Sequence, residues 1–231
     1  MKLSRRDFVV GGVGLLLSGC APASQRAANR PGAPWPLPRS RPRRITPIAA
    51  DGEHAVEANA AAQGDLSKLI ARTKWAKGKP IRGRLNRMGA IKRITVHHEG
   101  GSPVYFSDVR TTAERLEAIR KAHLQRMHAG DIGYHYIIDR SGRLWQGRDI
   151  GYQGAHVREH NEHNIGVMVL GNFDRQSPTA QQRASLHATL EQLMRQHRVA
   201  LHNVHTHQEL VATQCPGRVL QHHMKSLRGR A

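Results

Sequence analysis

Aromatic residues are scarce in this chain, at 4% of 231 residues, while it holds 22 glycines and 11 prolines. Such a composition does not suit one continuous core over the full length. Acids are few as well: Lys and Arg total 36 against 17 Asp and Glu, a formal charge of +19. That excess favours a polyanionic partner such as nucleic acid, anionic lipid or anionic wall polymer, or else marks a solvated basic surface with no dedicated partner. No basic patch interleaved with aromatics resembles a nucleic-acid module, so no nucleic acid is expected. No run of about 20 apolar residues exists, which excludes an ordinary spanning helix. Cysteine is nearly absent, with only Cys20 and Cys215. An even count suggests one disulfide, but the two lie in very different contexts and point to unrelated roles.

The start of the chain reads as an address. Lys2, Arg5 and Arg6 precede a short apolar run, Phe8 to Leu17, which is the layout of an export signal and too short to span comfortably. The three glycines in that run argue against a buried amphipathic helix. The adjacent arginines of SRRDF resemble a twin-arginine signal. The closing Leu17-Ser18-Gly19-Cys20 resembles a lipobox, in which Cys20 is acylated and becomes the new N-terminus. Residues 1–20 are therefore expected to be an export signal with lipobox. Ala21 rather than an aspartate follows Cys20, so the expected place is the periplasmic face of the outer membrane, with a membrane contact through the lipid on Cys20. Cleavage would remove three bases and one acid, taking +19 to +17. The basicity belongs to the exported protein.

Residues 21–65 read as a tether. Seven prolines and six arginines, with no acid, lie between positions 21 and 50. Such a segment cannot bury enough apolar surface to offset its ordering entropy, and its prolines make it extended and semi-rigid. An Ala-rich stretch, 51–65, follows. No internal repeat is present.

Character changes near Leu66, where a folded domain over 66–231 is expected. Ile91–His98 has a β-branched stretch and predicts a strand. Thr111 with Glu114 predicts a capping box, followed by Leu116, Ile119, His123 and Met127 at helical spacing. YHYIID, SG and RLWQG predict a hairpin. Asn164–Gly171 is a near-continuous apolar run, as in a central strand covered on both faces. Pro178-Thr179 opens a second helix, with Thr179 and Gln182 as its capping box and Leu186, Leu190, Leu193, Met194 and His197 along one face. A short helix is expected after Pro216-Gly217. Strands alternating with helices give an α/β class: a central mixed β-sheet covered by helices.

Two of the sixteen-histidine set's positions stand out. His97-His98 closes a strand just before Glu99-Gly100-Gly101, and His207 lies eight residues before Cys215. Three such ligands converging in space would satisfy Zn²⁺ and leave a fourth position for water, although His-x7-Cys spacing alone is weak support for a metal.

From RTKW (Arg72–Trp75) through TVHHEG, DIGYHYIIDRSG, LWQGRD, GAH, NIGVMVLGNF and PTAQQ to TQCPG, the chain resembles the type 2 N-acetylmuramoyl-L-alanine amidases. These share their fold with peptidoglycan recognition proteins and the T7-type phage lysozyme. The resemblance covers roughly residues 66–228, with the motifs in family order. It implies the peptidoglycan recognition protein-like amidase fold and one zinc ion held by His97, His207 and Cys215. His98 falls where members vary and His205 has the wrong spacing. The family's catalytic tyrosine falls on Tyr134, expected to position water or support the oxyanion. Thr213 matches a position facing the carbonyl oxygen, or else serves its own turn. His156 and Asn161 fall in the substrate groove, where muramyl-peptide contacts are expected.

What the resemblance implies is hydrolysis of the lactyl amide between N-acetylmuramic acid and L-alanine, with peptidoglycan or muropeptides as substrate and the protein a monomer. The alternative is a non-catalytic peptidoglycan-binding lipoprotein, which commonly lacks the cysteine ligand. Two departures matter. Relatives with an aspartate as third ligand carry a glutamate base on the apolar strand, and here those positions hold Cys215 and Met168. Asp149-Ile150 after QGR replaces the motif that reports the third stem residue in some recognition proteins.

Overall fold

The computed structural model describes residues 65–229. The export signal with Cys20 and most of the tether lie outside the described residues.

Five strands form one sheet: β1 (Arg93–His98), β2 (Tyr136–Ile138), β3 (Leu144–Gln146), β4 (Asn164–Val169) and β5 (Val204–Thr206). Their order across the sheet is β3-β2-β4-β1-β5. Only the β2–β3 hairpin is antiparallel; β2–β4, β4–β1 and β1–β5 are parallel. The mixed sheet and the hairpin expected at SG are thus present. β4 is central and buried at every position, which is why its sequence is apolar without alternation.

Three helices cover the sheet: α1 (Val109–Arg126), α2 (Ala180–His197) and α3 (Arg218–Arg228). The two faces separate by strand alternation. Ile94, Val96, Ile165 and Val167 pack with Leu186, Leu190 and Leu193 of α2 and with Leu220 and Met224 of α3. Ile137, Met168 and Leu170 pack with Leu116 and Ile119 of α1 and with Trp75 and Tyr134. Burying each such side chain contributes about 1.5–3 kcal/mol. Among the described residues no helix is long and apolar enough to cross a membrane.

α2 begins at the expected capping box: Gln182 donates its amide to the Thr179 hydroxyl, and the Gln182 side chain accepts from the Thr179 amide. α1 differs from expectation. Its cap is Asp108, whose carboxylate accepts from the Thr111 amide at 2.8 Å. The helix therefore starts two residues earlier than Thr111, because an aspartate caps as well as a threonine and stands first in the chain. Glu114 instead pairs with Arg110 on the exposed face. Met127, expected on the buried face, is the C-cap and is exposed.

The opening RTKW segment is tied down by charge. Asp131, fully buried, pairs with Arg72 at 2.7 Å and with Arg120 of α1 at 2.9 Å. Trp75 donates its indole N–H to the Gln146 carbonyl at 2.8 Å. These contacts fix the loop that leads from Asp131 to Tyr134.

Candidate metal centre

The site forms at the carboxyl ends of β1 and β5, the usual position for ligands beside parallel strands. His97 is the penultimate residue of β1 and is fully buried. His207 follows β5 directly, and Cys215 lies in the loop that leads to α3. Ligand atoms of His97, His207 and Cys215 all lie within 4.8 Å of one another. Nδ1 of His97 is 3.6 Å from Cys215 Sγ. A tetrahedral zinc ion with bonds of about 2.0 Å to nitrogen and 2.3 Å to sulfur spaces those two atoms by about 3.5 Å, close to this separation. The donor set therefore fits zinc in both chemistry and spacing.

Local hydrogen bonds hold this arrangement. Gln208 donates its amide to the Cys215 carbonyl at 2.8 Å, closing the loop between the two ligands. The Thr206 amide donates to the Glu209 carboxylate at 2.9 Å, bridging the turn that carries His207. Arg228 of α3 reaches back to both Glu209 oxygens, at 2.7 and 2.6 Å, and to the Val204 carbonyl. Burial opposes charge on Glu209, but the Arg228, Thr206 and Gln221 hydrogen bonds outweigh it and hold the carboxyl at about 2.

Burial sets the protonation of the ligands. It holds His97 well below the ordinary histidine range, with neighbouring His156 and His207 adding to the effect. It takes His207 down to about 4, helped by His98. It pushes the Cys215 thiol up to about 12, although the His98 amide, 3.4 Å from the sulfur, works the other way. Two neutral imidazoles and one protonated thiol thus face each other.

Tyr134 stands beside the ligands, its ring 5.2 Å from that of His97. Burial first, then Cys215 and Glu99, push its phenol far above the ordinary range. It keeps its proton and is a hydrogen-bond donor. The loop that carries it is pinned on two sides. His123 Nδ1 accepts from the Gly133 amide at 2.8 Å. Arg148 donates through its side chain to the carbonyls of Asp131, Ile132 and Gln153.

Thr213 is half-buried and its hydroxyl oxygen accepts from the Cys215 amide at 3.3 Å. Asn161 accepts from the amides of His156 and Val157 at 2.8 and 3.0 Å. His156 is buried against His97, its Nδ1 3.0 Å from His97 Nε2. His98 points to the opposite face, where its Nδ1 accepts from the Phe173 amide at 3.2 Å. Met168 is the register partner of His97 across β1 and β4.

Glu99 and Arg115 had no assigned role in the sequence reading. Their charged groups meet at 2.5 Å, with the carboxylate almost fully buried. Burial pushes Glu99 up to about 7 against the opposing Arg115 charge. Strand alternation could have found it, since Glu99 lies two residues beyond His97 and so on the same face.

Comparison with known proteins decides the family. The N-acetylmuramoyl-L-alanine amidase family model matches residues 87–218, more than half of the chain. The chain belongs to that family. Peptidoglycan-recognition protein SD of Drosophila simulans is 27% identical over 162 residues, covering 69% of this chain and 85% of the relative. Among solved structures, the N-acetylmuramoyl-L-alanine amidase LysC from Clostridium intestinale superposes with a TM-score of 0.58 at 23% identity. That match covers 71% of this chain and 96% of the other. A variant of Drosophila PGRP-LB, solved in complex with tracheal cytotoxin, gives a TM-score of 0.63 at 20% identity, with the same coverage. The fold is the α/β fold of peptidoglycan recognition proteins and amidases.

Proposed function

We propose that the protein is a zinc-dependent N-acetylmuramoyl-L-alanine amidase, hydrolysing the lactyl amide of peptidoglycan or muropeptides. The observation that carries this reading is the convergence of His97, His207 and Cys215 beside the buried phenol of Tyr134. A zinc ion held by the three would polarise the amide carbonyl and lower the pKa of a water toward about 7.

The chain's own residues supply the rest. His97 and His207 are neutral and present lone pairs, while Cys215 gives up its proton to become a ligand. Tyr134 donates its O–H to the oxygen on which charge develops, in a site where burial strengthens that bond. Because the phenol holds its proton tightly, it acts as donor and not as base. Met168 offers no proton chemistry where relatives place a glutamate. Met168 and Leu170 pack in the same apolar cluster as Tyr134.

Purified protein with zinc, incubated with muropeptides, is expected to separate glycan from peptide, read by mass spectrometry. Retained binding with no released peptide would refute the enzyme reading in favour of a non-catalytic binder. Acylation of Cys20, with residence on the periplasmic face of the outer membrane, is part of the same proposal. It is supported by the basic start, the short apolar run and the LSGC motif. Incorporation of a palmitate analogue should disappear in Cys20→Ala, and labelling that persists there would defeat this part.

A further inference from the structure

A histidine ligand offers one nitrogen to the ion, and what the other nitrogen meets decides which it can offer. His97 turns Nδ1 toward Cys215 and Nε2 toward Nδ1 of His156, 3.0 Å away. The second nitrogen of His156 lies 3.3 Å from the backbone carbonyl oxygen of Asn164. A carbonyl only accepts, so Nε2 of His156 carries that ring's proton, and its Nδ1 is a bare acceptor. Nε2–H of His97 is then the donor across the 3.0 Å contact. The relay leaves the Nδ1 lone pair of His97 free and aimed at the metal position.

The seat of the His156 ring is fixed from several sides. A Cβ on Gly166 of β4 would lie 2.6 Å from His156 Cδ2, and one on Gly154 would lie 2.2 Å from the same atom. Glycine weakens a strand interior, and close approach of another group is the usual reason it stands there. Asn161 holds the backbone at His156 and Val157. Asn164 is itself anchored, accepting from the Thr95 hydroxyl at 2.9 Å and donating to the His160 carbonyl at 2.7 Å.

We propose that His156 is a positioning residue for the metal centre: it fixes His97 in the Nε2–H tautomer and orients its Nδ1 toward the ion. Both of its ring nitrogens serve this relay, so neither is left to hydrogen-bond the muramyl peptide. Gly154 and Gly166 are the cradle that makes the relay geometrically possible. The inference rests on the zinc reading above.

Zinc affinity, measured by competition with a chromogenic chelator, tests it in the wild type, His156→Ala and His156→Asn. Loss of a partner behind a ligand histidine typically weakens metal binding about 10–100-fold, and that is the expected effect of the alanine variant. Asparagine places its side-chain oxygen where Nδ1 sits, so it should accept from His97 and recover most of the affinity. At saturating zinc, KM for a muropeptide should be unchanged in both variants.

Unchanged zinc affinity with a raised KM in His156→Ala would make His156 a substrate contact and overturn the inference alone. A wild type that binds no zinc would overturn the zinc reading and the inference together. If the alanine variant does not fold, a long-range proton–nitrogen spectrum of zinc-loaded, histidine-labelled wild type decides. Nε2–H on His156 is expected, and Nδ1–H there would refute the relay.

Discussion

The ligand set can be counted in protons. Between about pH 5 and 7 His207, held at about 4, and His97, held well below the ordinary histidine range by burial, are both largely uncharged. The Cys215 thiol, pushed up to about 12 by burial, is protonated throughout that range. Zinc entering the site at about pH 5 to 6.5, below the range where a zinc-held water ionises, should therefore release one proton, the thiol's, and none from the imidazoles. Mass action then raises the apparent association constant tenfold per pH unit, about 1.4 kcal/mol. Over that window the gain is roughly 30-fold, or about 2 kcal/mol, and binding weakens toward acid. Titration calorimetry in two buffers of different ionisation enthalpy counts the proton directly, and chelator competition gives the slope. No released proton would mean that Cys215 is not a ligand or is already a thiolate. Two or more would mean that the histidines are charged before the metal arrives, and either result refutes the reasoning. Cys215→Ser should lose the slope together with most of the affinity.

Tyr134→Phe should keep zinc affinity and lower kcat about 10²–10³-fold, the usual loss for one oxyanion donor, or about 2.7–4 kcal/mol; an unchanged kcat would remove Tyr134 from the chemistry. Asp131→Ala leaves Arg72 and Arg120 facing each other without their shared carboxylate, and urea unfolding should show a loss of about 3–5 kcal/mol. Glu209 has its carboxyl lowered to about 2 in the folded chain from an ordinary value of 4.5. Its contribution is present above pH 4.5 and lost as pH falls toward 2, so Glu209→Gln should flatten that part of the acid-unfolding curve.

The fold was legible where sequence periodicity and burial agree. Asn164–Val169 reads as a covered strand because β4 is buried on both faces, and Thr179 with Gln182 reads as a cap because both partners of the box are side chains near in sequence. The start of α1 was misplaced because Asp108 and Thr111 are both competent caps, and only the path of the incoming chain chooses between them. The candidate metal ligands could not be read from spacing. His97 and Cys215 stand 118 residues apart, and their meeting depends on β5 pairing beside β1. The ordered motifs supplied what spacing could not. His156 was expected to contact substrate, and the structure shows it buried and 3.0 Å from His97. No local pattern reveals that, because the cradle joins Gly154 to Gly166 across a loop and a strand.

Burial acts on every group of the site in one direction, against charge, yet its consequences differ by residue. A neutral histidine is ready to bind a metal, a neutral tyrosine is ready to donate, and a neutral thiol must first lose a proton. Glu99 follows the same direction: raised to about 7 by burial, it is paired with Arg115 and adds little net charge once ionised. Zinc with one thiolate would then leave the centre with a single net positive charge. A site with an aspartate as third ligand reaches the same total, so replacing it by Cys215 does not alter the charge that faces a carbonyl. What changes is the absence of a carboxylate at Met168, next to His97 in register. One positive charge and one phenolic donor would match the single negative charge that develops on an amide oxygen under attack. That matching needs no strand glutamate. It does require that His97 stay uncharged and correctly turned, and the core packing around β1 and β4 enforces both conditions.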